Sequence, residues 1–338
     1  MIKEVIGRLV SDNSLDFEQA AEVMTEIMSG EATPAQIAAF ITALRIKGET
    51  VDEIAGLASV MRDKAVPVKA APPVIDTCGT GGDNCASLNV STAAAFVAAG
   101  AGLRVAKHGN RAMTSHCGSA DVLEALGVKI DLSTEAVAKC LEEVGIGFMF
   151  APIFHPAMKH AAVPRREIGI RTVFNILGPL TNPARAEFQV IGVPNEELGS
   201  KMAAVLHRLG TKHSLIVHSR DGMDEISLGG PSLVWEVDQA KVAPPYEVSP
   251  PYFGFKETSL DEVRGGMPEE NAKLLRDILD GVKGPGRDVV VMNAAAALLT
   301  GNQSSDLKEG ARLAEEVINS GRAREKLAGL VKLSQSLD

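Results

Sequence analysis

The residues of this chain best suited to chemistry gather in a few short stretches rich in glycine, hydroxyl groups and charge. The first is VIDTCGTGGD at 74 to 83, where an apolar run opens into Gly79, Gly81 and Gly82 and closes on Asp83. Glycine permits positive φ and close backbone approach, so successive N–H groups can converge on an anion. NVSTAAAF at 89 to 96 starts a helix at Ser91 or Thr92, adding hydroxyls and free amides at a positive dipole end. An ordinary capped turn uses the same residues, and neither GK[ST] nor GxGxxG is present. KHGNR at 107 to 111 closes the apolar LRVA and puts Lys107, His108, Asn110 and Arg111 at a strand end, where two cations would neutralise phosphates. Lys107 is costly to bury unpaired, so an anionic partner accounts for it better than a solvated basic turn. HCGSADVLEALG at 116 to 127 brings Gly118 and Ser119 to a further helix start, and three such loops on successive strand ends imply one multiply phosphorylated ligand. After the run SLIVHS, DGMDEIS at 221 to 227 supplies the adjacent carboxylates Asp224 and Glu225. Mg²⁺ takes one or two carboxylates plus phosphate oxygens and water, which this pair offers, although a bare acidic pair is usually a solvated turn.

These loops need strands and helices to carry them. The strand candidates are Val74 to Asp76, Leu103 to Ala106, Val128 to Ile130, Phe148 to Phe150, Phe188 to Val193 and Ser214 to His218, with helices at 91 to 99, 119 to 126, 134 to 144 and 196 to 209. Such alternation predicts an α/β fold with a largely parallel sheet, whose ligands sit beyond the carboxyl ends of the strands. The first sixty-odd residues read instead as three helices. Phe17, Ala20, Met24, Ile27 and Met28 form one apolar stripe stopped by Gly30, and Thr33, Pro34 and Gln36 open the next helix, which runs to Gly48. Thr50 and Glu53 repeat the capping box, and KAAPPV at 69 to 74 ends a small helical unit near residue 70. Helical patterning returns from about Pro268.

At 338 residues, with 45% hydrophobic and 23% charged residues, the chain can bury one large core with an accessory unit, or two domains sharing a cleft. A net charge of -9 disfavours a phosphate-backbone binder. The amino terminus carries Lys3, Glu4 and Arg8 and no apolar h-region, and no run suits a membrane helix, so the expectation is a cytoplasmic protein without membrane or nucleic-acid partners. Cys78, Cys85, Cys117 and Cys140 show no paired metal spacing and read as reduced thiols.

GTGGD, NVSTAAAF, KHGNR, GSADVLEALG, PRREIGIRTVFNILGPLTNP and DGMDEIS occur in this order, and together they resemble the anthranilate phosphoribosyltransferase family over nearly the whole chain. The resemblance implies a small all-helical domain at 1 to 70, with a contribution from about 165 to 185, and a larger α/β domain at 71 to 338. It also implies a homodimer formed through the helical units. By the same resemblance, Gly79, Gly81, Gly82, Asp83, Asn89, Ser91, Thr92, Lys107 and Ser119 match positions that hold phosphoribosyl pyrophosphate and its metal. Gly79, Asn110, His155, Arg165 and Pro179 match the anthranilate pocket, while Ser91, Asp224 and Glu225 match metal positions, with two Mg²⁺ per subunit. The chain departs from the family pattern at Asn84, where glycine is expected, and at Ala112, where serine is common; Cys85 and Cys117 are unusual neighbours for phosphate loops. The implied reaction displaces pyrophosphate from C1 of the sugar by the anthranilate amine, which needs no nucleophilic side chain and assigns no acid–base residue. Two other readings are a pyrimidine nucleoside phosphorylase, which needs no acidic metal pair, and a non-catalytic nucleic-acid-binding relative. The latter would lack the pocket residues Asn110, His155 and Arg165 that this chain keeps.

Overall fold

The computed structural model describes residues 1–83, 85–112 and 116–337, so Asn84 lies outside the described residues. Four helices open the chain: α1 (Ile2–Val10), α2 (Phe17–Met28), α3 (Pro34–Lys47) and α4 (Val51–Lys64). This is one more than the three expected. The added helix is α1, whose Ile2, Val5 and Leu9 form a single buried stripe. Capping boxes start α3 and α4 as the sequence predicts, and a third, Asp16 with Gln19, starts α2. Gly56 lets α4 lie directly on α2, because a Cβ there would collide with the Phe17 carbonyl oxygen and come within 2.9 Å of Ala20 Cβ.

The chain then alternates through β1 (Val74–Gly79), α5 (Val90–Gly100), β2 (Arg104–Gly109), α6 (Ser119–Ala125), α7 (Thr134–Glu143) and β3 (Ile146–Phe150). Helices α8 (Ala151–Phe154), α9 (Lys159–Ile168) and α10 (Phe174–Leu177) precede β4 (Phe188–Gly192), α11 (Glu196–Arg208), β5 (His213–Ser219), β6 (Ser232–Asp238) and β7 (Tyr246–Val248). Helices α12 (Pro268–Leu279), α13 (Pro285–Thr300), α14 (Leu307–Asn319) and α15 (Arg322–Gln335) follow. The seven strands form one sheet in the order β3-β2-β1-β4-β5-β6-β7. Strands β1 to β5 are parallel, and β6 and β7 are antiparallel additions at one edge. The architecture is therefore a small helical N-terminal domain and a larger α/β domain with a mostly parallel sheet. Strand order reverses between β1 and β4, which is where a crevice opens beyond the carboxyl ends in such sheets.

Side-chain alternation divides the core between the two faces of the sheet. Val190, Leu215, Val217 and Val234 point to the cluster built on α5 and α13, whereas Ile191, Ile216, Leu233 and Trp235 join α11 and the helical domain. Val173, Phe174, Leu177 and Leu180 belong to this second cluster, so the chain returns to the helical core between β3 and β4.

Residues 128 to 130, expected as a strand, are not one. Val128 and Ile130 are buried, but the Lys129 N–H donates to Ser334 Oγ of α15 at 3.1 Å and finds no neighbouring strand. Strands β6 and β7 were not anticipated, although Leu233, Trp235 and Val237 alternate along β6 and bury one face. Among the described residues, no helix is long and apolar enough to cross a membrane.

Gly56→Ala should destabilise the helical domain by about 1–3 kcal/mol, because the α2–α4 contact runs through backbone and cannot yield by a rotamer change. Denaturant unfolding measures this directly, and a loss within error of zero would show that the helices separate freely.

Candidate active site

The crevice is built on two facing glycines. Gly79 ends β1, Gly192 ends β4, and the two are register partners at the point where strand order reverses. A Cβ on Gly79 would lie 2.6 Å from Asp224 Oδ2, and one on Gly192 would collide with the Asp224 backbone oxygen. Only bare backbone lets the DGMDEIS loop settle over the switch point. There Asp224 Oδ2 accepts the Gly81 N–H at 2.9 Å, and Glu225 Oε1 accepts the Ser91 N–H at 3.2 Å. The glycine-rich loop and the α5 N-terminus are thus tied to the same acidic pair.

Both carboxyl groups are half-buried and both titrate high. Loss of solvent, then the nearby Asp83 carboxylate, pushes Asp224 up to about 7. Loss of solvent followed by repulsion from Asp224 pushes Glu225 well above the usual carboxylate range. Lys107 supplies the opposing charge. It is buried, with Nζ donating to the Thr77 carbonyl at 2.5 Å and to Ser91 Oγ at 3.3 Å, and burial lowers its pKa while Asp76 opposes the fall. Thr80 Oγ1 and Thr92 Oγ1 are buried without a hydrogen-bond partner among the described residues. Orphaned hydroxyls beside a buried ammonium and a helix start are what an oxyanion would satisfy.

Alternation along β2 sends the next residue to the opposite face. His108 Nδ1 contacts the Gly178 carbonyl oxygen at 3.2 Å, and its ring lies 5.0 Å from that of His155. Burial, reinforced for His108 by its neighbour His155, lowers the two to about 3 and about 4, so both are neutral at pH 7. Each keeps a buried Nε2 without a partner. Pro179 is buried in the adjoining turn, where its carbonyl accepts from Gln189 Nε2 at 2.7 Å. Arg165 is half-buried, its guanidinium 5.2 Å from the Phe174 ring centroid, and no carboxylate among the described residues pairs with it. Two neutral rings suit a flat aromatic ligand, and a guanidinium with no carboxylate partner among the described residues suits a carboxylate.

Several expected residues have other engagements. Asn89 is a strut: its Nδ2 donates to the Cys117 carbonyl at 3.0 Å, and its Oδ1 accepts from Asn271 Nδ2 at 2.9 Å. Asn110 is exposed, its Oδ1 accepting the Arg111 N–H, and Ser119 Oγ donates weakly to the Asn110 carbonyl at 3.4 Å. Arg111, read as a second phosphate cation, is paired outward with Asp121 at 3.0 Å and Glu124 at 2.8 Å. The two acids lie on α6 within its reach and take the charge away from the crevice. Ala112 donates its N–H to Asp121 at 2.9 Å, so serine is not needed to hold the loop there. The cysteines are free, and burial pushes Cys85 up to about 12 and Cys117 to about 11, which leaves both as thiols.

Sequence comparison places this geometry. Residues 71–324 match the glycosyl transferase family a/b domain profile, and residues 3–65 match the family's helical bundle domain. An anthranilate phosphoribosyltransferase of Dehalococcoides mccartyi is 59% identical over 338 residues, covering 100% of this chain and 99% of that one. The chain belongs to the anthranilate phosphoribosyltransferases. Within this family, the crystal structure of the Thermus thermophilus enzyme superimposes with a TM-score of 0.92 at 44% identity, covering 98% of this chain and 99% of that one. The Saccharomyces cerevisiae enzyme, solved with phosphoribosyl pyrophosphate and Mg, gives 0.91 at 30% identity over 99% and 98% of the two chains. A second yeast structure holds 4-fluoroanthranilate, with a TM-score of 0.88 at 28% identity over 99% and 98%.

Two engagements, those of Asp76 and Arg171, were not among the expected site residues, and a third, His108, was expected at the strand end without a role. Asp76, buried in β1, accepts the His108 N–H at 3.3 Å and Asn182 Nδ2 at 2.8 Å, bracing the strand that carries both Lys107 and His108. His108 itself lies in KHGNR, and alternation from Lys107 could have assigned it to the second face. Arg171 crosses from the segment before α10 and donates to the Thr80 carbonyl at 3.0 Å and the Gly81 carbonyl at 2.8 Å. Its guanidinium lies so close to Gly82 that a Cβ there would overlap it.

Among the described residues no three His, Cys, Asp or Glu side chains cluster as a closed metal site. An open pair of strained carboxylates fits Mg²⁺, which draws its remaining ligands from phosphate and water. A carboxyl whose pKa is raised by folding binds its proton more tightly folded than unfolded. Its contribution to stability is fully present below the unfolded value of about 4 and is lost as pH rises through about 7. Metal-free Asp224→Asn should therefore gain in melting temperature over the parent protein as pH rises from about 5 to about 8, and added Mg²⁺ should narrow the gap. A difference between the two proteins that stays constant with pH would falsify the strained-carboxylate account.

Proposed function

We propose that this chain transfers the phosphoribosyl group of phosphoribosyl pyrophosphate to the amine of anthranilate, giving N-(5-phosphoribosyl)anthranilate and pyrophosphate, in tryptophan biosynthesis. The observation that carries the reading is the division at β2. Lys107 faces the glycine loop and the α5 N-terminus, and His108 faces His155 and the 178–182 turn, so one strand serves a phosphate side and an aromatic side. Relatives solved with phosphoribosyl pyrophosphate and with an anthranilate analogue support both halves.

In this reading Gly79, Gly81, Gly82, Asp83, Ser91, Thr92, Lys107 and Ser119 hold the phosphorylated sugar, with Asn89 fixing the loop by its strut. Asp224, Glu225 and Ser91 would hold two Mg²⁺ per subunit, which when bound neutralise charge on the departing pyrophosphate. Lys107 adds a buried positive charge for the same leaving group. Gly79, Asn110, His155, Arg165 and Pro179 form the acceptor pocket, where Arg165 clamps the carboxylate and the neutral rings keep the amine facing C1 of the sugar. An aniline amine is already unprotonated at pH 7, so positioning and charge stabilisation suffice without a general base.

The same reading takes residues 1–70 with about 165–185 as the helical domain and 71–338 as the α/β domain. It makes the protein a homodimer through the helical face. Val10, Ile46, Val163 and Ile170 are 73%, 81%, 41% and 50% exposed there, on and beside α1, α3 and α9, and α3 packs against both its neighbours. A cytoplasmic setting is supported by four unpaired cysteines.

The direct test is loss of anthranilate fluorescence that requires both phosphoribosyl pyrophosphate and Mg²⁺; no loss under any combination would sink the proposal. Lys107→Ala should lower kcat/KM for phosphoribosyl pyrophosphate at least about tenfold, matching removal of a charge-assisted contact worth roughly 1.5–3 kcal/mol. An unchanged value removes Lys107 from the site. Arg165→Ala should raise KM for anthranilate by roughly 10- to 100-fold with a much smaller effect on phosphoribosyl pyrophosphate. Equal losses for both substrates would mean that Arg165 holds the domains together instead.

A further inference from the structure

A second polar cavity, of about 200 Å³, lies at the amino ends of β4 and β5, the opposite end of the sheet from the phosphate loops. Arg62 of α4 enters it from the helical domain, and Asn182, Arg185, Glu187, Gln189 and Lys212 close it from the α/β side. Three cations thus face Glu187 within the cavity and Asp63 at its rim, leaving an excess of one positive charge. Lys212 pairs with Glu187 at 2.5 Å, and Arg185 reaches out to Asp63 at 2.9 Å across a rim where both are largely exposed. Arg62 meets only carbonyls, donating from Nε to Leu180 at 2.5 Å and from a terminal nitrogen to Leu209 at 3.5 Å. No carboxylate among the described residues forms an ion pair with it.

A half-buried guanidinium facing a second guanidinium is poorly compensated. Burial, then repulsion from Arg185, lowers Arg62 to about 10, with the neighbouring Asp63 only partly opposing the fall. Arg185 is held at φ 51, in the left-handed region where an arginine is strained, and such strain persists where surrounding structure fixes it. Glu187 Oε2 is buried without a hydrogen-bond partner among the described residues, so the cavity offers one acceptor beside its cations. The complement is an anionic group carrying a hydrogen-bond donor.

We propose that this cavity is a regulatory site for a small phosphate or carboxylate that also bears a hydroxyl or similar donor. The anion lies between Arg62 and Arg185, and the donor meets Glu187. Its effect falls on the acceptor side, because two of its walls hold the acceptor turn: Arg62 Nε binds the Leu180 carbonyl and Gln189 Nε2 binds the Pro179 carbonyl at 2.7 Å. An occupant drawing Arg62 toward itself loosens Leu180 and shifts affinity for the aromatic substrate without touching the phosphate loops. The site is separate from the proposed reaction centre, and binding to it is measurable without turnover.

The test uses the full chain with inorganic phosphate or lactate as probes, and acetate as the carboxylate lacking a donor. Hydrogen–deuterium exchange should show protection at 180–189 and 209–213, and calorimetry should show saturable binding that weakens about tenfold in Arg185→Gln/Lys212→Gln. These two side chains are 67% and 47% exposed, so the fold should survive, and Arg185→Lys should retain binding. KM for the acceptor should move with phosphate or lactate in the parent protein and stay still in the double variant. Preference for phosphate over lactate, or the reverse, identifies the source of the anion, and acetate should bind more weakly than lactate. Protection confined to 79–83 and 107–112, equal affinity in the double variant, or binding that leaves the acceptor KM unmoved would each overturn the proposal.

Discussion

Asp224 and Glu225 stand partly out of water beside Asp83, and the repulsion among these carboxylates is the constraint that the rest of the site accommodates. Water cannot dilute the charge, so the fold offsets it with donors: the Gly81 and Ser91 amides, the α5 dipole, and a single buried ammonium. The compensation is incomplete, and both carboxyl groups remain raised. A site left in this condition gains most from a ligand that brings cations on one side and phosphate on the other. Selection for binding and loss of intrinsic stability are here the same property of the same atoms.

The loop carrying these acids can sit where it does only because β1 and β4 end in glycine. Gly79 and Gly192 are partners in the sheet, and either Cβ would run into Asp224. From this close approach the remaining geometry follows by alternation. One residue of β2 turns Lys107 to the acidic loop and the next turns His108 to the opposite face, 5.0 Å from His155. Asp76 keeps that strand in register through the His108 amide, and Asn182 ties Asp76 and the Ala106 carbonyl to the turn that carries Pro179. Two subsites of different chemistry therefore share one rigid wall.

Much of this was legible in the chain because the signals are local. GTGGD before a helix with Ser91 and Thr92 at its start, KHGNR after an apolar run, and the boxes Thr33–Gln36 and Thr50–Glu53 each depend on neighbours within a few residues. Readings failed where the deciding partner is distant. Val128 to Ile130 looks like a strand until Ser334 takes its backbone N–H, and Arg111 looks like a phosphate ligand until α6 presents Asp121 and Glu124. The β6 alternation is present in SLVWEVD after the Gly229-Gly230-Pro231 turn, but its pairing with β5 is antiparallel and departs from the parallel alternation that the preceding motifs set. Arg171 lies past the end of α9, so the turn into α10 sets its direction and only the folded chain shows that it meets Thr80 and Gly81.

That contact bears on how the two domains act together. Arg171 leaves the segment preceding α10, which packs into the helical core, and ends on carbonyls of the glycine-rich loop; burial lowers its pKa, with Asp224 and Asp83 opposing the fall and Arg45 adding to it. Its guanidinium is a cation supplied by the protein near carboxylates that repel one another. Arg165, a few residues earlier on α9, has a ring beneath it and no carboxylate beside it. The two arginines thus differ in engagement: Arg171 braces the glycine-rich loop from across the seam, whereas Arg165 rests over the Phe174 ring with no carboxylate partner among the described residues.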